Sequence, residues 1–306
     1  MSYTLHRPAS LQEAISLQER TGGAYLAGGT VTLVNYHKRR TISADQISLD
    51  AIKELRGIEL KEAAALDTAA LGSDASGKTL SIGALTTMDE LESSDNVKKY
   101  AFALWQAASE VGGPQIRNRA TLGGNLASAS PSSDCATPLL AMNASLVVCG
   151  AAGSRVISLR DFFLGRFQHV LTKDEIIVSV EIPVFIDETT GESLTCSSFR
   201  KVGKRNALAV SCLNMAIVRT EDQVDVAVGA AAPKAVYCEK TSQLLSGRDK
   251  AGVQQVMPDA LEAIQTEISP INDRWATASY RRTVCGNMLK ALVNEVLGAQ
   301  FKDMEV

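Results

Sequence analysis

The 306-residue sequence predicts an α+β chain, and three observations carry that expectation. The first 170 or so residues mix helix-period and strand-period segments. From about Asp174 to Ala230, strand follows strand with no helix between them. Two long helix-period runs then close the chain. Strands without crossover helices argue for an antiparallel sheet. The reading is therefore two mixed subdomains, 1–60 and 61–170, followed by a C-terminal antiparallel sheet with helices, 171–306.

Each element has its own signal. Ser10-Leu11-Gln12-Glu13 reads as a capping box, Ser10 accepting from the Glu13 amide while Glu13 reaches back; Leu11, Ala14 and Ile15 mark one helical face, and Gly22-Gly23 ends the helix. Tyr25-Leu26-Ala27 is a short strand running into Gly28-Gly29-Thr30, and Ile47-Ser48-Leu49 is another. Asp67 to Lys78 reads as an exposed loop. Leu80 to Ala84 alternates as a strand, and Thr87-Met88-Asp89-Glu90 is a second capping box. Val97 to Val111 predicts one helix, closed by Gly112-Gly113-Pro114. Leu146-Val147-Val148 and Val156 to Leu159 read as paired strands. Ile176 to Ile182 alternates as a strand that Pro183 stops, and Phe199, Ala207–Val218 and Val224–Ala230 supply further strands. Gln254–Ile268 and Ala276–Leu297 are the closing helices, with Arg281, Arg282 and Lys290 expected on the wet face of the last.

Composition narrows the function classes. A net charge of −3 leaves no electrostatic footprint for nucleic acid. No run of 18 apolar residues is present, so no transmembrane helix is predicted. The opening MSYTLHRPASLQEA lacks an apolar signal core, and the expected location is cytoplasmic. The six cysteines (Cys135, Cys149, Cys196, Cys212, Cys238, Cys285) form no C-x-x-C pair. His6, His37 and His169 stand at no ligand spacing to them, so a zinc or iron–sulfur site in this chain is not expected. Asn143-Ala144-Ser145 is a chance sequon in a chain with no sign of secretion.

The chemistry concentrates in two stretches, Leu26-Ala27-Gly28-Gly29-Thr30-Val31-Thr32-Leu33 and Ala120-Thr121-Leu122-Gly123-Gly124-Asn125 through Ser128 to Ser133-Asp134. Glycine lets backbone amides approach a ligand closely and adopt positive φ. Successive amides turned one way form an anion nest. Hydroxyls of Thr30, Thr32, Thr121, Ser128 and Ser133 add neutral donors, a set that suits a pyrophosphate bound without much positive charge, and Asp134 suits a sugar or ribityl hydroxyl. Solvated serines on two tight turns are the bland alternative. Neither G-x-G-x-x-G nor G-x-x-x-x-G-K-[ST] occurs, which disfavours a Rossmann site and a Walker-type NTPase.

Taken together, Ala27-Gly28-Gly29-Thr30, Ile116-Arg117-Asn118-x-Ala120-Thr121-x-Gly123-Gly124-Asn125 and Pro131-x-Ser133-Asp134 resemble the FAD-binding subunit of molybdenum hydroxylases, the xanthine and carbon monoxide dehydrogenase relatives. The likeness extends over nearly the whole chain, through Glu175-Ile176-Ile177, Ile182-Pro183 and Tyr280-Arg281-Arg282. Gly113-Pro114-Gln115-Ile116-Arg117-Asn118 is similar to the bacterial xanthine dehydrogenase FAD subunit in particular. The resemblance implies a vanillyl-alcohol-oxidase-type (PCMH-type) fold, two α/β subdomains clasping an extended, non-covalent FAD beneath a C-terminal domain of the carbon monoxide dehydrogenase flavoprotein type. It places the pyrophosphate cradle at Ala27 to Leu33 and Thr121 to Ser128, with Leu26, Ala120, Thr121, Gly124, Asn125 and Ser128 among the cofactor-binding residues. Ser133 and Asp134 match positions that hold the polar linker and ribose, and Ile177 an apolar position near the adenine. In the run Phe199 to Ala209, Lys201 matches a cation near the flavin, with Arg200 left open by one residue of register. The family's aspartate at the end of that run is Ala209 here.

The same resemblance implies electron transfer rather than hydroxylation: 2Fe–2S clusters on a small partner subunit, a molybdenum cofactor on a large one, and NAD or another acceptor. A purine such as xanthine or hypoxanthine is the expected substrate of the complex. Nicotinate, aldehyde or carbon monoxide dehydrogenase subunits, a stand-alone flavin oxidase and a non-catalytic assembly subunit are the rival readings.

Overall fold

The structure, a computed structural model, describes residues 3–39, 43–62, 77–187, 189–205 and 207–298. The first unit is a three-stranded parallel sheet of β1 (Thr4–His6), β2 (Ala24–Leu26) and β3 (Asp45–Ser48), in the order β1-β3-β2. The parallel pairing follows from the crossover helices Leu11–Thr21 and Thr32–Arg39. The first of these is capped as the sequence suggests, the Glu13 amide donating to Ser10 Oγ at 3.2 Å. The Glu13 carboxylate reaches one residue further back, accepting from the Ala9 amide at 2.8 Å. Gly22, at φ 64°, closes the helix. Ala14, Ile15, Ile47, Ile52 and Leu55 form a small core of their own under this unit.

The second unit is a five-stranded antiparallel sheet. Its strands are β4 (Ile58–Glu62), β5 (Lys78–Gly83), β6 (Ser145–Gly150), β7 (Gly153–Ser158) and, after the small hairpin β8 (Phe163–Gly165) and β9 (Gln168–His169), β10 (Ile176–Val184). The order is β4-β5-β10-β6-β7. Here the sequence reading is corrected: β10, assigned to the C-terminal region, lies in the middle of the second sheet, between β5 and β6. Antiparallel pairing sets no limit on sequence separation, so an alternating strand does not announce its neighbours. Pro183 does not stop β10 either. It pairs opposite Thr79, and β6 ceases to pair at Glu181, so beyond that point β10 has one free flank where a missing N–H costs no ladder bond.

Helices cover this sheet. Thr87 opens Met88–Glu92 with the reciprocal capping box expected of it. The single helix predicted over 97–111 is two, Asp95–Tyr100 and Phe102–Ser109, broken at buried Ala101 (φ −140°, ψ 51°). A tertiary partner makes the break tolerable, because Ser197 Oγ accepts from the Ala103 amide at 3.0 Å. Leu80, Ile82, Leu104, Leu122, Leu126, Leu146, Phe162 and Val180 join in one core. Most of the loop read at Asp67–Lys78 lies outside the described residues, and Lys78 itself begins β5.

The third unit is the antiparallel sheet β11 (Thr195–Val202), β12 (Leu213–Thr220), β13 (Gln223–Gly229) and β14 (Val236–Tyr237), in that order. The helices Lys250–Glu267 and Ala278–Gly298 back it, burying Leu213, Met215, Ile217 and Val226 against Leu289 and Leu292. Residues 207–212, read as strand, are irregular, and Leu208 sits at φ 55°. Arg282 and Lys290 are exposed as expected, but Arg281 is buried. Its guanidinium pairs with Asp273 at 2.8 Å and donates to the Ile271 carbonyl, a partner supplied by the preceding loop and invisible to helical periodicity. Among the described residues no helix is long and apolar enough to cross a membrane, and no cluster of three potential metal ligands occurs.

Candidate functional site

β2 ends at Leu26, and the chain turns through Ala27, Gly28 and Gly29 into the helix Thr32–Arg39. Gly29 takes φ 73°, a backbone that a side chain resists. Gly28 is required for a different reason. A Cβ there would lie 1.7 Å from the carbonyl oxygen of Arg119, so the turn rests directly on the backbone of the second stretch. Ala27 and Gly124 face each other across the same contact, at 3.9 Å from a Gly124 Cβ. Two segments a hundred residues apart thus meet through missing side chains. The helix begins with Leu33 donating to Gly29 and Asn35 to Val31, and among the described residues nothing accepts from the amides of Gly28, Gly29, Thr30 and Val31.

The second stretch is built differently from the reading of it. Gly123 and Gly124 do not form a positive-φ turn; they lie in the first turn of the helix Leu122–Ala127, capped by Thr121. The four amides there are used within the chain: Leu122 donates to Thr86, Gly123 to Ala84, Gly124 to Thr121 Oγ1 and Asn125 to the Thr121 carbonyl. Gly123 allows close packing on Ala84, whose Cβ would stand 2.7 Å from its own. This stretch therefore offers side chains rather than free amides. Ser128 donates to the Asn125 carbonyl at 2.7 Å, and Ser133 donates to Asn125 Oδ1 at 2.5 Å. Ser133 is 4% exposed and its hydroxyl also accepts from the Ala136 amide, so it braces Asn125. Ala120 is buried and its carbonyl accepts from the Met88 amide. Ile177 is also buried, in the core of the second unit beside the bulge between Ile177 and Ser179.

Asp134 is the hinge of the site. It is 8% exposed. Its Oδ1 accepts from Ser211 Oγ at 2.5 Å and Asn214 Nδ2 at 3.0 Å, and its Oδ2 from Lys201 Nζ at 2.9 Å. The same ammonium donates to the Glu110 carbonyl at 2.5 Å. Arg200, one residue away on β11, points to the other face and pairs with Glu295 of the last helix at 2.7 Å. Burial raises the Glu110 carboxyl above its usual range, against the pull of Lys201. Beside Lys201 a cleft of about 530 Å³ opens between Glu110, Gly113 and Pro114 on one side and Val202, Gly203 and Leu208 on the other. A larger cleft of about 940 Å³ lies at the far end of the helix Ala136–Ala141, around Arg160, Asp225 and Tyr237, and is lined by none of the glycine-turn residues. Ser211, Asn214 and Glu110 were not legible as site residues, since nothing in their spacing marks them.

The donor set suits FAD: four unpartnered amides at a glycine turn, a backbone contact that any Cβ would fill, and an acid with a lone pair still open on Oδ2. Comparison with known proteins identifies the family. The model of the FAD-binding domain in molybdopterin dehydrogenases matches residues 1–185, and that of the carbon monoxide dehydrogenase flavoprotein C-terminal domain matches 198–296. The chain is 29% identical over 300 residues to the xanthine dehydrogenase FAD-binding subunit of Escherichia coli O157:H7, covering 96% of each. It is 29% identical to the carbon monoxide dehydrogenase medium chain of Hydrogenophaga pseudoflava (95% of this chain, 96% of that one) and 31% identical to the nicotinate dehydrogenase FAD-subunit of Eubacterium barkeri (73% and 70%). The solved carbon monoxide dehydrogenase of Hydrogenophaga pseudoflava superposes with a TM-score of 0.83 at 28% identity, covering 97% of this chain and 98% of that one. With the FAD-binding domain model matching more than half of its length, the chain belongs to the FAD-binding domain family of the molybdopterin dehydrogenases.

Proposed function

We propose that this chain is the FAD-carrying electron-transfer subunit of a molybdenum-containing dehydrogenase that acts on a purine such as xanthine or hypoxanthine. The observation that carries the reading is the contact of Gly28 with the Arg119 carbonyl, which sets a turn of four unpartnered amides against the helix that begins at Thr121. The turn Leu26 to Leu33 would hold the pyrophosphate through its amides and the Thr30 and Thr32 hydroxyls. Thr121, Gly124, Asn125 and Ser128 would line the opposite wall. Asp134 would accept from a ligand hydroxyl with the lone pair that Lys201 leaves free. FAD supplies a two-electron store between single-electron donors and a hydride acceptor such as NAD. Lys201, held by Asp134 and Glu110, would present its charge beside the 530 Å³ cleft. The 2Fe–2S clusters would sit on a small partner subunit and the molybdenum cofactor on a large one, a division supported by the likeness to the medium chain of carbon monoxide dehydrogenase. The purine assignment rests on the xanthine dehydrogenase relatives, and the partner chain chooses the substrate.

The test is a native pull-down with flavin, iron and molybdenum measured in the recovered complex. The expected result is all three, with purine-dependent NAD reduction present in the complex and absent from the chain alone. Substrate-dependent NAD reduction by the isolated chain, or recovery of the chain without flavin, overturns the proposal.

A further inference from the structure

Asp134 belongs to the turn that follows the Leu122–Ala127 helix, yet three of its partners come from the C-terminal unit: Lys201 on β11, Ser211, and Asn214 on β12. The orientation of Asn214 is itself fixed. Thr137 Oγ1 donates to Asn214 Oδ1 at 2.7 Å, and an amide oxygen held by a donor obliges the NH2 end to face the other way, onto Asp134 and the Ser133 carbonyl. Gly229 on β13 leaves room for the arrangement, since a Cβ there would lie 2.1 Å from Asn214 Oδ1 and 2.6 Å from Thr137 Oγ1. Asn214 is fully buried, as is Thr137.

From this geometry we infer that Asn214, set by Thr137, is a positioning residue through which the C-terminal sheet aims the Asp134 carboxylate at the cofactor. With Oδ1 saturated by Ser211 and Asn214, the carboxylate cannot rotate, and Oδ2 alone is left for Lys201 and a ligand hydroxyl. The inference rests on the proposed FAD site. It makes cofactor retention a property of both halves of the chain, not of the glycine turn and its opposing helix alone.

The experiment is FAD titration of the full-length wild-type chain and Asn214→Asp, followed by flavin fluorescence between pH 5.5 and 8.5. At high pH two carboxylates would face each other where a donor stood, and FAD affinity falls about tenfold or more. On acidification the pair takes up one proton, the protonated acid again donates, and affinity recovers. The charged and titratable groups around Asp134 are Lys201 on β11, Glu110 after the Phe102–Ser109 helix, which Arg200 also acts on, and Cys135 next in chain. All are present in the wild type, whose titration over the same range controls for them. A loss in Asn214→Asp that is equal at every pH, or no loss, overturns the inference. Thr137→Val, with Thr137→Ser as the restoring variant, provides the second arm should Asn214→Asp not fold. Weaker FAD binding by about threefold or more in Val and wild-type binding in Ser are expected; equal binding in both overturns it. A wild-type chain that takes up no FAD refutes the proposed function instead.

Discussion

Replacing Gly28 with alanine gives a direct test of how the site is assembled. The added Cβ would stand 1.7 Å from the Arg119 carbonyl oxygen, 2.6 Å from its carbon and 3.3 Å from the Ala120 Cα. An ordinary carbon–oxygen contact is roughly 3.4 Å or more, so one backbone must retreat by about 1.7 Å. Neither can do so cheaply: Gly28 is tied to β2 and its sheet, and Arg119 and Ala120 donate back to Ile116. Overpacking of this kind costs about 1–3 kcal/mol, and the backbone on both sides argues for the upper end. For a chain of this size that is a fall in Tm of about 5 °C. Gly29→Ala is the matched control. It meets Leu33 at 3.4 Å and Leu26 at 3.7 Å, both ordinary contacts, and its cost, about 1 kcal/mol, comes from φ 73°. Differential scanning fluorimetry with and without FAD, together with FAD titration, reads both effects. Gly28→Ala is expected to lose FAD binding and most of the ligand-induced rise in Tm, whereas Gly29→Ala keeps a measurable share of each. Wild-type FAD affinity in Gly28→Ala would refute the claim that contact between the two segments builds the site.

Other outcomes follow from the same geometry. Lys201→Met leaves a buried carboxylate uncompensated and is expected to destabilise by about 3 kcal/mol, with Lys201→Met/Asp134→Asn recovering at least about 1 kcal/mol of that loss in urea unfolding; simple additivity would refute the pairing. In the FAD-loaded complex Lys201→Met should lower the flavin potential, but by less than about 20 mV because Asp134 already neutralises much of the charge; a redox titration in which Arg200→Ala moves the potential instead would reassign the cation. Acid precipitation should release all yellow colour to the supernatant: Cys135 is buried with its thiol pushed upward by desolvation, and His169 is stacked on Phe162. Colour retained in the pellet would count against non-covalent FAD. Arg155 hydrogen-bonds Glu175 and holds its carboxyl below the usual range. That contribution is full above the ordinary carboxyl value near 4.3 and is lost as pH falls through the lower folded value. Arg155→Ala should therefore cost about 0.5 kcal/mol at pH 6, the gap closing toward pH 3.

Local chemistry made the glycine turn at Gly28-Gly29, the caps at Ser10 and Thr87 and the strand-rich C-terminal region readable. Each of these depends on residues within a few positions of one another: a hydroxyl reaching the third amide onward, a φ that only glycine tolerates, an alternation of period two. The errors fell where a distant partner decided the outcome. Ser197 supports the break at Ala101, Asp273 buries Arg281, and β6 and β5 claim β10 for the second sheet. The glycines at 28 and 124 were visible as glycines, but only the tertiary structure decided what they are for. Gly28 is pressed to the Arg119 backbone, and Gly124 sits in a capped helical turn whose amides are already satisfied. Asp134 and Lys201 were likewise legible as separate candidates 67 residues apart. That they form one buried pair, steadied by Ser211, Asn214 and Thr137, follows from the docking of the C-terminal sheet on the Ser133–Ala136 turn. A buried carboxylate needs every donor that folding can bring to it, and chain proximity does not choose which ones arrive.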